Sequence, residues 1–427
     1  MEWASILLLI ACAAEAASQA YDPLLADLLN QGLRRAVRQA GSGGRPRKLL
    51  LTTNLIRKYG YPAEGHYTKT DDGYILRLDR LPRPGAPVVF VGNPLSTGSS
   101  AYCFLGNDSF AMKLYDAGYD VWLGNARGNG VAVGHVRLKP SQRQFWDFGL
   151  HEHAELDIPA MIDYILHVTG QPSLSYAGIS MGSTNLLMLA AVRPEYDKFI
   201  NGAFLMGPVS DISQHNNSVL LSTLHSLENT TSRLMPGQIP GGALIRQFVG
   251  SICTRFMRRG RATNHCPLLK ALGDLMGGAG NIEWNIDTED YAPTAISLKE
   301  MNHYAQLSNP SWHGFRQYNY GKKRNREIYG QDVPPNYDMT KTRIPMYFYV
   351  GKGDYWTPYP AIEKLRSALR NFRKLYEQAN ELRGFGHLDF AMNPYLAPKI
   401  YDQIIQDMKE LRMEQQSFEE NKKRSVY

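Results

Sequence analysis

The sequence predicts an α/β fold in which a mostly parallel sheet carries helices on both faces and is interrupted by a largely helical cap insertion. Short apolar strands alternate with helix-patterned segments over residues 87–206, as expected for a parallel sheet covered on both faces. The alternation breaks down at about Asp211 and resumes at Pro345. At its centre, a strand at 174–177 leads directly into the turn Gly-Ile-Ser-Met-Gly and then into a helix.

Each predicted element depends on its apolar spacing and on the turn residues that bound it. Asp71-Asp72-Gly73 is a hairpin turn between two strands, and Gly118 and Gly170 each end a helix. The predicted strands are 66–70, 74–81, 87–91, 119–123, 174–177, 199–206, 345–350 and 374–378. The predicted helices are 109–117, 156–168, the segment after Gly182, 361–369 and 399–411.

Composition divides the chain into six segments. They are a signal peptide at 1–17, an N-terminal extension and linker at 18–50, the first part of the α/β core at 51–210, the cap insertion at 211–313, the second part of the core at 314–412 and a disordered tail at 413–427. Residues 41–48 are a linker by composition, and the preceding stretch 24–37 is either a helix or a removable pro-segment, since Arg34-Arg35 and Arg47-Lys48 are dibasic. The tail is predicted to be disordered because it is polar and charged.

Several features favour a secreted protein, with a lysosomal destination as the alternative. An apolar run at 3–14 followed by small residues resembles a signal peptide, although it lacks a preceding Lys or Arg and could instead form an amphipathic helix. The predicted N-glycosylation sites are Asn107, Asn216 and Asn229. Beyond the signal peptide there are three cysteines, of which we pair Cys253 with Cys266, leaving Cys103 alone.

The distribution of charge along the chain argues against a nucleic-acid partner. The formal net charge is +7, the basic residues are dispersed, and no nucleic-acid-binding motif accompanies them. We therefore expect solubility, with attraction to a lipid surface as a further role. No stretch is long enough to span a bilayer, so we expect no transmembrane segment, and oligomeric state is left open.

Ser180 is the candidate nucleophile. It is the central residue of the Gly-x-Ser-x-Gly turn, where Gly178 and Gly182 keep the flanking positions small and the following helix N-terminus favours a developing oxyanion. A serine hydroxyl needs a base within hydrogen-bond reach, and that base needs a carboxylate to orient it.

Asp354 and His387 are the candidate partners of Ser180. Each follows a predicted strand of the sheet, so both are expected at the edge where Ser180 lies. Asp389 is too close to His387 in sequence to be the preferred orienting acid, and we interpret it as a cap or structural residue. His151-Glu152-His153 lacks the spacing for two ligands on one helix face, so we expect no metal there and interpret the motif as structural. No cofactor is expected either.

Several segments resemble the acid lipase family of α/β-hydrolases, which includes gastric and lysosomal acid lipases and insect lipases. The most specific is Ala117-Gly118-Tyr119-Asp120-Val121-Trp122-Leu123-Gly124-Asn125-Ala126-Arg127-Gly128-Asn129. Others are Tyr59-Gly60-Tyr61-Pro62, Asp157-Ile158-Pro159-Ala160 and Gly386-His387-Leu388-Asp389-Phe390. The resemblance covers about residues 54–408 and implies an α/β-hydrolase fold, with Ser180 as nucleophile, Asp354 as acid, His387 as base and Cys253–Cys266 as a cap disulfide.

One departure from that family affects the expected oxyanion hole. The family carries His-Gly followed by an aliphatic residue, and the N–H of that residue acts together with the N–H after the serine, here Met181. This chain has Gly92-Asn93-Pro94-Leu95 instead, and an ungapped count places Pro94, which has no N–H, at the donor position. The second donor is then the Leu95 N–H, the Asn93 amide, or absent.

Two functions follow from these observations. The first is a lipase or carboxylic ester hydrolase that acts on lipid esters through an acyl-serine intermediate. The second is a lipid-binding or storage protein that kept the fold and lost most turnover because of the altered oxyanion loop. The sequence leaves the ester class and the pH optimum open.

Overall fold

The structure is a computed structural model that describes residues 51–214, 237–239, 294–311, 313–376 and 384–424. Its elements up to residue 206 are α1 Thr52–Lys58, β1 Glu64–Lys69, β2 Tyr74–Leu81, β3 Val88–Gly92, α2 Phe110–Asp116, β4 Asp120–Asn125, β5 Gly134–His135, α3 Leu150–Glu152, α4 Ile158–Thr169, β6 Leu174–Ile179, α5 Met181–Val192 and β7 Ile200–Met206. A π-helical turn, His153–Asp157, joins α3 to α4.

The second part of the chain completes the sheet and adds its outer helices. Its elements are β8 Gln238–Ile239, β9 Ile296–Ser297, α6 Leu298–Leu307, α7 Lys322–Tyr329, β10 Met346–Tyr349, α8 Tyr359–Ala368, β11 Phe372–Tyr376, α9 Asp389–Met392 and α10 Ala397–Arg424. The sequence predicted β10, α8 and β11 to within a few residues, whereas α6 and α7 were not predicted.

The main sheet has the strand order β1-β2-β4-β3-β6-β7-β10-β11, and β5 pairs with β2 outside this path. From β4 to β11 every pairing is parallel, whereas β1, β2 and β5 join at one end in antiparallel pairings. The predicted mostly parallel sheet is therefore confirmed. The parallel strands share one carboxyl edge, and the segments after β3, β6, β7 and β10 leave the sheet there.

The sheet separates two hydrophobic clusters, one on each face. Val88 and Phe90 of β3 belong to the cluster that also contains residues of α4 and α5. Val89 and Val91 belong to the other, which contains residues of α2 and α10. Because successive strand residues point to opposite faces, a central strand covered on both faces must be apolar throughout. This is why the continuous run at 88–91 forms a central strand.

The predicted disorder of the 413–427 tail is wrong for residues 413–424, because α10 continues through Arg424. Glu, Gln and Lys dominate this stretch, and they are good helix formers as well as polar residues. The Gln415 side chain donates to the Asn201 carbonyl at 3.0 Å, which ties the beginning of the stretch to the sheet. Residues 425–427 lie outside the described chain.

Most of the predicted cap lies outside the described residues, and its bounds remain a prediction. The same holds for the signal peptide at 1–17, the extension at 18–50, the Cys253–Cys266 pair, Asn216 and Asn229. The end of the cap segment is described, and there α6 packs Tyr304 and Leu307 into the cluster that contains α5. Within the described ranges, no helix combines the length and apolar character needed to cross a membrane.

Candidate active site

Ser180 occupies a strained turn between β6 and α5. Its backbone has φ 56° and ψ −119°, and Ser96 is the one other non-glycine residue with positive φ among those described. Such a conformation is uncommon for an L-residue and persists only where its surroundings enforce it. The turn is held by the Ser180 N–H, which donates to the Met206 carbonyl at 2.9 Å, and by the Thr184 N–H, which donates to the Ser180 carbonyl at 2.9 Å.

Gly178 and Gly182 are required because the backbone approaches them closely. A Cβ atom on Gly182 would overlap the Gly92 carbonyl at the end of β3. A Cβ atom on Gly178 would lie 2.7 Å from the carbonyl carbon of Gly182. The small residues that flank the serine therefore let the turn close tightly against β3.

His387 lies between Ser180 and Asp354. Its Nε2 is 2.7 Å from the Ser180 Oγ, and its Nδ1 is 2.8 Å from the Asp354 Oδ2. His387 and Asp354 are buried, whereas Ser180 is half-buried. The loops after β6, β10 and β11 thus bring together the three side chains that the sequence placed at one sheet edge.

Asp354 is oriented by more than the histidine. Its Oδ1 accepts the Trp356 N–H at 2.9 Å, and the Trp356 ring lies beside the His387 ring with centroids 6.1 Å apart. Gly207, with φ 54°, leaves room on the other side, since a Cβ there would lie 3.2 Å from the Asp354 carboxylate and from the imidazole. Both oxygens of the carboxylate are therefore held, and only one of them faces the histidine.

Asp389 holds the loop that carries His387. Its Oδ2 accepts the Gly386 N–H at 2.6 Å, and its Oδ1 accepts from the Asn393 side chain at 3.3 Å. The carboxylate is thus bonded to the loop's own backbone, as expected for a structural residue.

The loop after β3 contains the candidate oxyanion donors. The two N–H groups of the Asn93 carboxamide donate to the carbonyls of Pro94 and Thr97 at 3.1 and 3.2 Å, and its oxygen accepts the Ala126 N–H at 3.0 Å. This side chain braces the loop and has no N–H left for a substrate, so the Asn93 alternative does not fit the geometry. Met181 begins α5, where a backbone N–H has no partner within its own helix.

A buried charge network, which the sequence did not predict, joins the core to the end of the cap segment. His153 lies between the Asp157 Oδ2 at 2.9 Å and the Glu300 Oε1 at 2.7 Å. The Arg127 Nε donates to the Asp157 Oδ1 at 2.7 Å, and its two terminal nitrogens donate to Asp72. The motifs around Arg127, His153 and Asp157 were visible in the sequence, but nothing in it indicated that Glu300 completes the set.

The carboxylates determine the charge of His153. Burial opposes the charged form, but Glu300 and Asp157 together raise the pKa of His153 to about 9. Burial likewise opposes ionisation of Asp157, and Arg127 and His153 nevertheless lower its pKa. His153 is therefore a fixed cation near neutral pH. The neighbouring Glu152 pairs with Lys299 at 2.6 Å, so these side chains bind protein groups.

The structure also includes a predicted glycosylation site, Asn107, and the cysteine that the sequence left unpaired, Cys103. Asn107 is exposed, as a glycosylated side chain must be. Cys103 is a free, buried cysteine, and burial raises the pKa of its thiol.

Comparison with known proteins identifies the class. The family description "alpha/beta hydrolase fold" matches residues 92–393, and "Partial alpha/beta-hydrolase lipase region" matches residues 52–105. The chain belongs to the α/β-hydrolase family. The solved structure of lip1 from Acinetobacter baumannii AYE shares the fold, with a TM-score of 0.50, 12% identity and coverage of 85% of this chain and 96% of that chain.

Within this family the relatives are lipases. Lipase lipl-1 of Caenorhabditis elegans is 30% identical, covering 86% of this chain and 93% of the relative. Lipase 1 of Drosophila melanogaster is 29% identical, covering 84% of this chain and 79% of the relative. Human lysosomal acid lipase/cholesteryl ester hydrolase is 29% identical, covering 86% and 94%. The resemblance to acid lipases is confirmed, and the chain is a hydrolase of the lipase family.

Proposed function

We propose that this protein hydrolyses lipid esters through an acyl-serine intermediate, with Ser180 as nucleophile, His387 as general base and Asp354 as orienting acid. The observation that carries the proposal is the imidazole of His387, placed 2.7 Å from the Ser180 hydroxyl and 2.8 Å from the Asp354 carboxylate. A serine, a base and an orienting carboxylate in this order form an activated nucleophile.

The arrangement supports the following reaction. His387 accepts the Ser180 proton while the serine oxygen attacks the ester carbonyl, and the imidazolium then protonates the leaving alcohol. Water attacks the resulting acyl-serine ester with His387 again as base, which releases the carboxylic acid and restores the serine. Asp354 stabilises the imidazolium and holds its orientation throughout.

We infer that the oxyanion hole is formed by the N–H groups of Met181 and Leu95. The Met181 N–H stands at the N-terminus of α5, where the helix dipole favours negative charge. Pro94 has no N–H and the N–H groups of the Asn93 carboxamide bond to the loop, which leaves the Leu95 N–H as the remaining predicted second donor. Loss of one such donor costs about 10²–10³ in rate.

The competing function is a lipid-binding protein with little turnover. The observation that favours it is the pair Asn93-Pro94. These residues stand where the family has a glycine followed by the residue whose N–H donates to the oxyanion. Changing Pro94→Leu distinguishes the two functions. If Pro94 occupies the donor position, the new N–H raises the rate by about 10²-fold; if Leu95 is the donor, the rate does not rise.

The substrate class and location are inferred from the relatives. The human relative is named both a lysosomal acid lipase and a cholesteryl ester hydrolase. We propose an apolar acyl ester, either a triacylglycerol or a steryl ester, bound under the cap, with lipid-surface association aided by the net positive charge. We propose secretion, or delivery to the lysosome, with glycosylation at Asn107 in the described part of the chain.

The test is hydrolysis of short-chain and long-chain nitrophenyl esters by the full chain, with Ser180→Ala as control. The expected result is turnover that Ser180→Ala abolishes, together with covalent labelling of Ser180 by a fluorophosphonate. Labelling without turnover would favour the lipid-binding alternative, whereas turnover that survives Ser180→Ala would contradict the serine mechanism.

A further inference from the structure

One buried hydroxyl connects the turn that carries Ser180 to the loop that carries Leu95. Tyr102 lies in a short 3-10 helix, Ser99–Cys103, and is 1% exposed. Its hydroxyl donates to the Gly92 carbonyl at 2.5 Å and accepts the Ile179 N–H at 3.0 Å.

The two hydrogen-bond partners of the Tyr102 hydroxyl directly precede the 93–95 loop and the Ser180 turn. Gly92 is the last residue of β3 and precedes the loop at 93–95, whereas Ile179 is the last residue of β6 and directly precedes Ser180. The pairing of these strands also ends here, with Gly92 opposite Gly178. The Tyr102 hydroxyl therefore ties the strands together where the pairing stops and the catalytic segments begin.

A shift of Gly92 would be transmitted to the nucleophile turn. The Gly92 carbonyl that accepts the Tyr102 hydroxyl is also the group that a Cβ on Gly182 would overlap. The Asn93 carbonyl lies 3.3 Å from the same Cβ position. The loop and the first turn of α5 are thus in direct contact, and close-packed groups do not absorb displacements without consequence.

The chemistry of a phenol suits this bridge. Burial raises the pKa of the Tyr102 hydroxyl, which keeps it protonated and able to donate and accept at the same time. Phenylalanine would fill the same space without either bond, so its introduction removes the bridge and preserves the packing of the ring.

We propose that Tyr102 is a positioning residue for the oxyanion hole, setting the separation between the Leu95 N–H and the Ser180 turn through its bonds to Gly92 and Ile179. The proposal depends on the ester hydrolase function given above. An oxyanion donor acts only within about 2.7–3.1 Å of the developing charge, and a misplacement of about 1 Å can cost 10²-fold in rate.

The test compares Tyr102→Phe with Tyr74→Phe in the full chain. Tyr74 is a matched control because it is 4% exposed and its hydroxyl donates to a backbone carbonyl, that of Phe145, at 2.5 Å. Neither Tyr74 nor Phe145 contributes to the Ser180 turn or to the 93–95 loop. Both variants lose a buried phenol hydroxyl that donates to a backbone carbonyl. Because Tyr102→Phe also removes the bond from the Ile179 N–H, its thermal midpoint should fall somewhat further.

We expect Tyr102→Phe to lower kcat 10- to 100-fold with KM changed less than twofold. Inhibition by an alkyl trifluoromethyl ketone, which forms a tetrahedral oxyanion on serine, should weaken by the same factor as kcat/KM falls. The final extent of fluorophosphonate labelling of Ser180 should match that of Tyr74→Phe, and both variants should remain folded at the assay temperature. Deuterium exchange should rise at 92–95 and 179–181 in Tyr102→Phe alone.

Two results would overturn the proposal, and they are distinguishable. An active wild type with kcat in Tyr102→Phe equal to that in Tyr74→Phe overturns the positioning role and leaves the ester hydrolase function intact. A wild type without turnover, whose exchange at 179–181 still rises in Tyr102→Phe, overturns the hydrolase function, and the catalytic meaning of the bridge with it.

Discussion

His387 and His153 are both buried, at 5% and 1% exposure, but they differ in the groups that face their ring nitrogens. His387 faces one carboxylate, Asp354, and on its other side the Ser180 hydroxyl. His153 faces a carboxylate on each side, Asp157 and Glu300. In the first arrangement the imidazole has a neighbouring hydroxyl from which it can accept a proton, whereas in the second the two carboxylates keep the imidazole positively charged near neutral pH.

The difference shows that a histidine's neighbours determine its role more than its burial does. A third buried histidine supports this: burial lowers the pKa of His303 to about 4, and its Nε2 bonds to the Arg316 carbonyl, a neutral group. His153, which bonds to two carboxylates, is therefore a structural cation, and His387, which bonds to one, is a candidate base. His303, which bonds to a carbonyl, is a neutral packing residue.

The largest expected effect is on activity at His387. Because the base is lost, His387→Gln should lower kcat by about 10⁴–10⁶-fold on a nitrophenyl ester. The thermal midpoint should stay within a few degrees of the wild type, since glutamine can still bond to Asp354. Retention of a tenth of the activity would remove His387 from the mechanism.

The next effect is on stability at His153. His153→Gln leaves Asp157 and Glu300 without their shared cation, and breaking a buried charge set by removing one partner costs about 3–5 kcal/mol. Urea unfolding should show this loss of free energy of unfolding, whereas fluorophosphonate labelling of the folded fraction should persist. A loss below about 1 kcal/mol would mean that the network contributes little.

The same network predicts a pH dependence of stability. The folded-state pKa of His153 is about 9, against about 6.5 in an unfolded chain, so the folded state binds the proton more tightly. This contribution is fully present below about pH 6.5 and is lost as pH rises through about 9. The free energy of unfolding should therefore fall between pH 6.5 and 9, and this component of the fall should be absent in His153→Gln.

Removing one carboxylate should make His153 resemble His387. Glu300→Gln keeps the size of the side chain and an oxygen for the Ser297 N–H, which Glu300 now accepts at 2.6 Å. The pKa of His153 should fall by about one unit or more, because a charge within hydrogen-bond distance is lost. Titration by NMR measures it, and an unchanged pKa would show that Asp157 alone sets the charge.

The smallest expected effect is on the free energy of unfolding when His303 is changed. His303→Gln removes one hydrogen bond to the Arg316 carbonyl, or weakens it, and should cost about 1 kcal/mol or less. It should leave the pH dependence of unfolding unchanged between pH 6 and 9. A variant that shifts this dependence would show that His303 titrates with the network.

The sheet was predictable because its signals are local. The strand at 88–91 is apolar throughout, and the Ser180 turn carries its glycines within two residues on each side. The edge at which Asp354 and His387 meet Ser180 follows from strand direction alone. The tail was mispredicted because Glu, Gln and Lys are typical both of disorder and of exposed helix, and composition does not separate the two.

Two long-range contacts, one in the charge network and one behind the Ser180 turn, were not predictable because they join residues far apart in the sequence. Glu300 reaches His153 across 147 positions, and Tyr102 reaches Ile179 across 77. Nothing in the local pattern of either residue differs from that of an ordinary buried side chain. The Asn93 carboxamide was expected to be a possible donor because its chemistry allows it, and only the fold shows that its N–H groups are already used.

The contact between Gly92 and Gly182 has a practical consequence for protein engineering. Neither position can accept a side chain without displacing the nucleophile, so libraries that aim to change substrate range should leave residues 92, 178 and 182 untouched. For the proposed function, we propose that such variation is better sought in the predicted cap, residues 211–313, than at these three positions of the nucleophile turn and its neighbour strand.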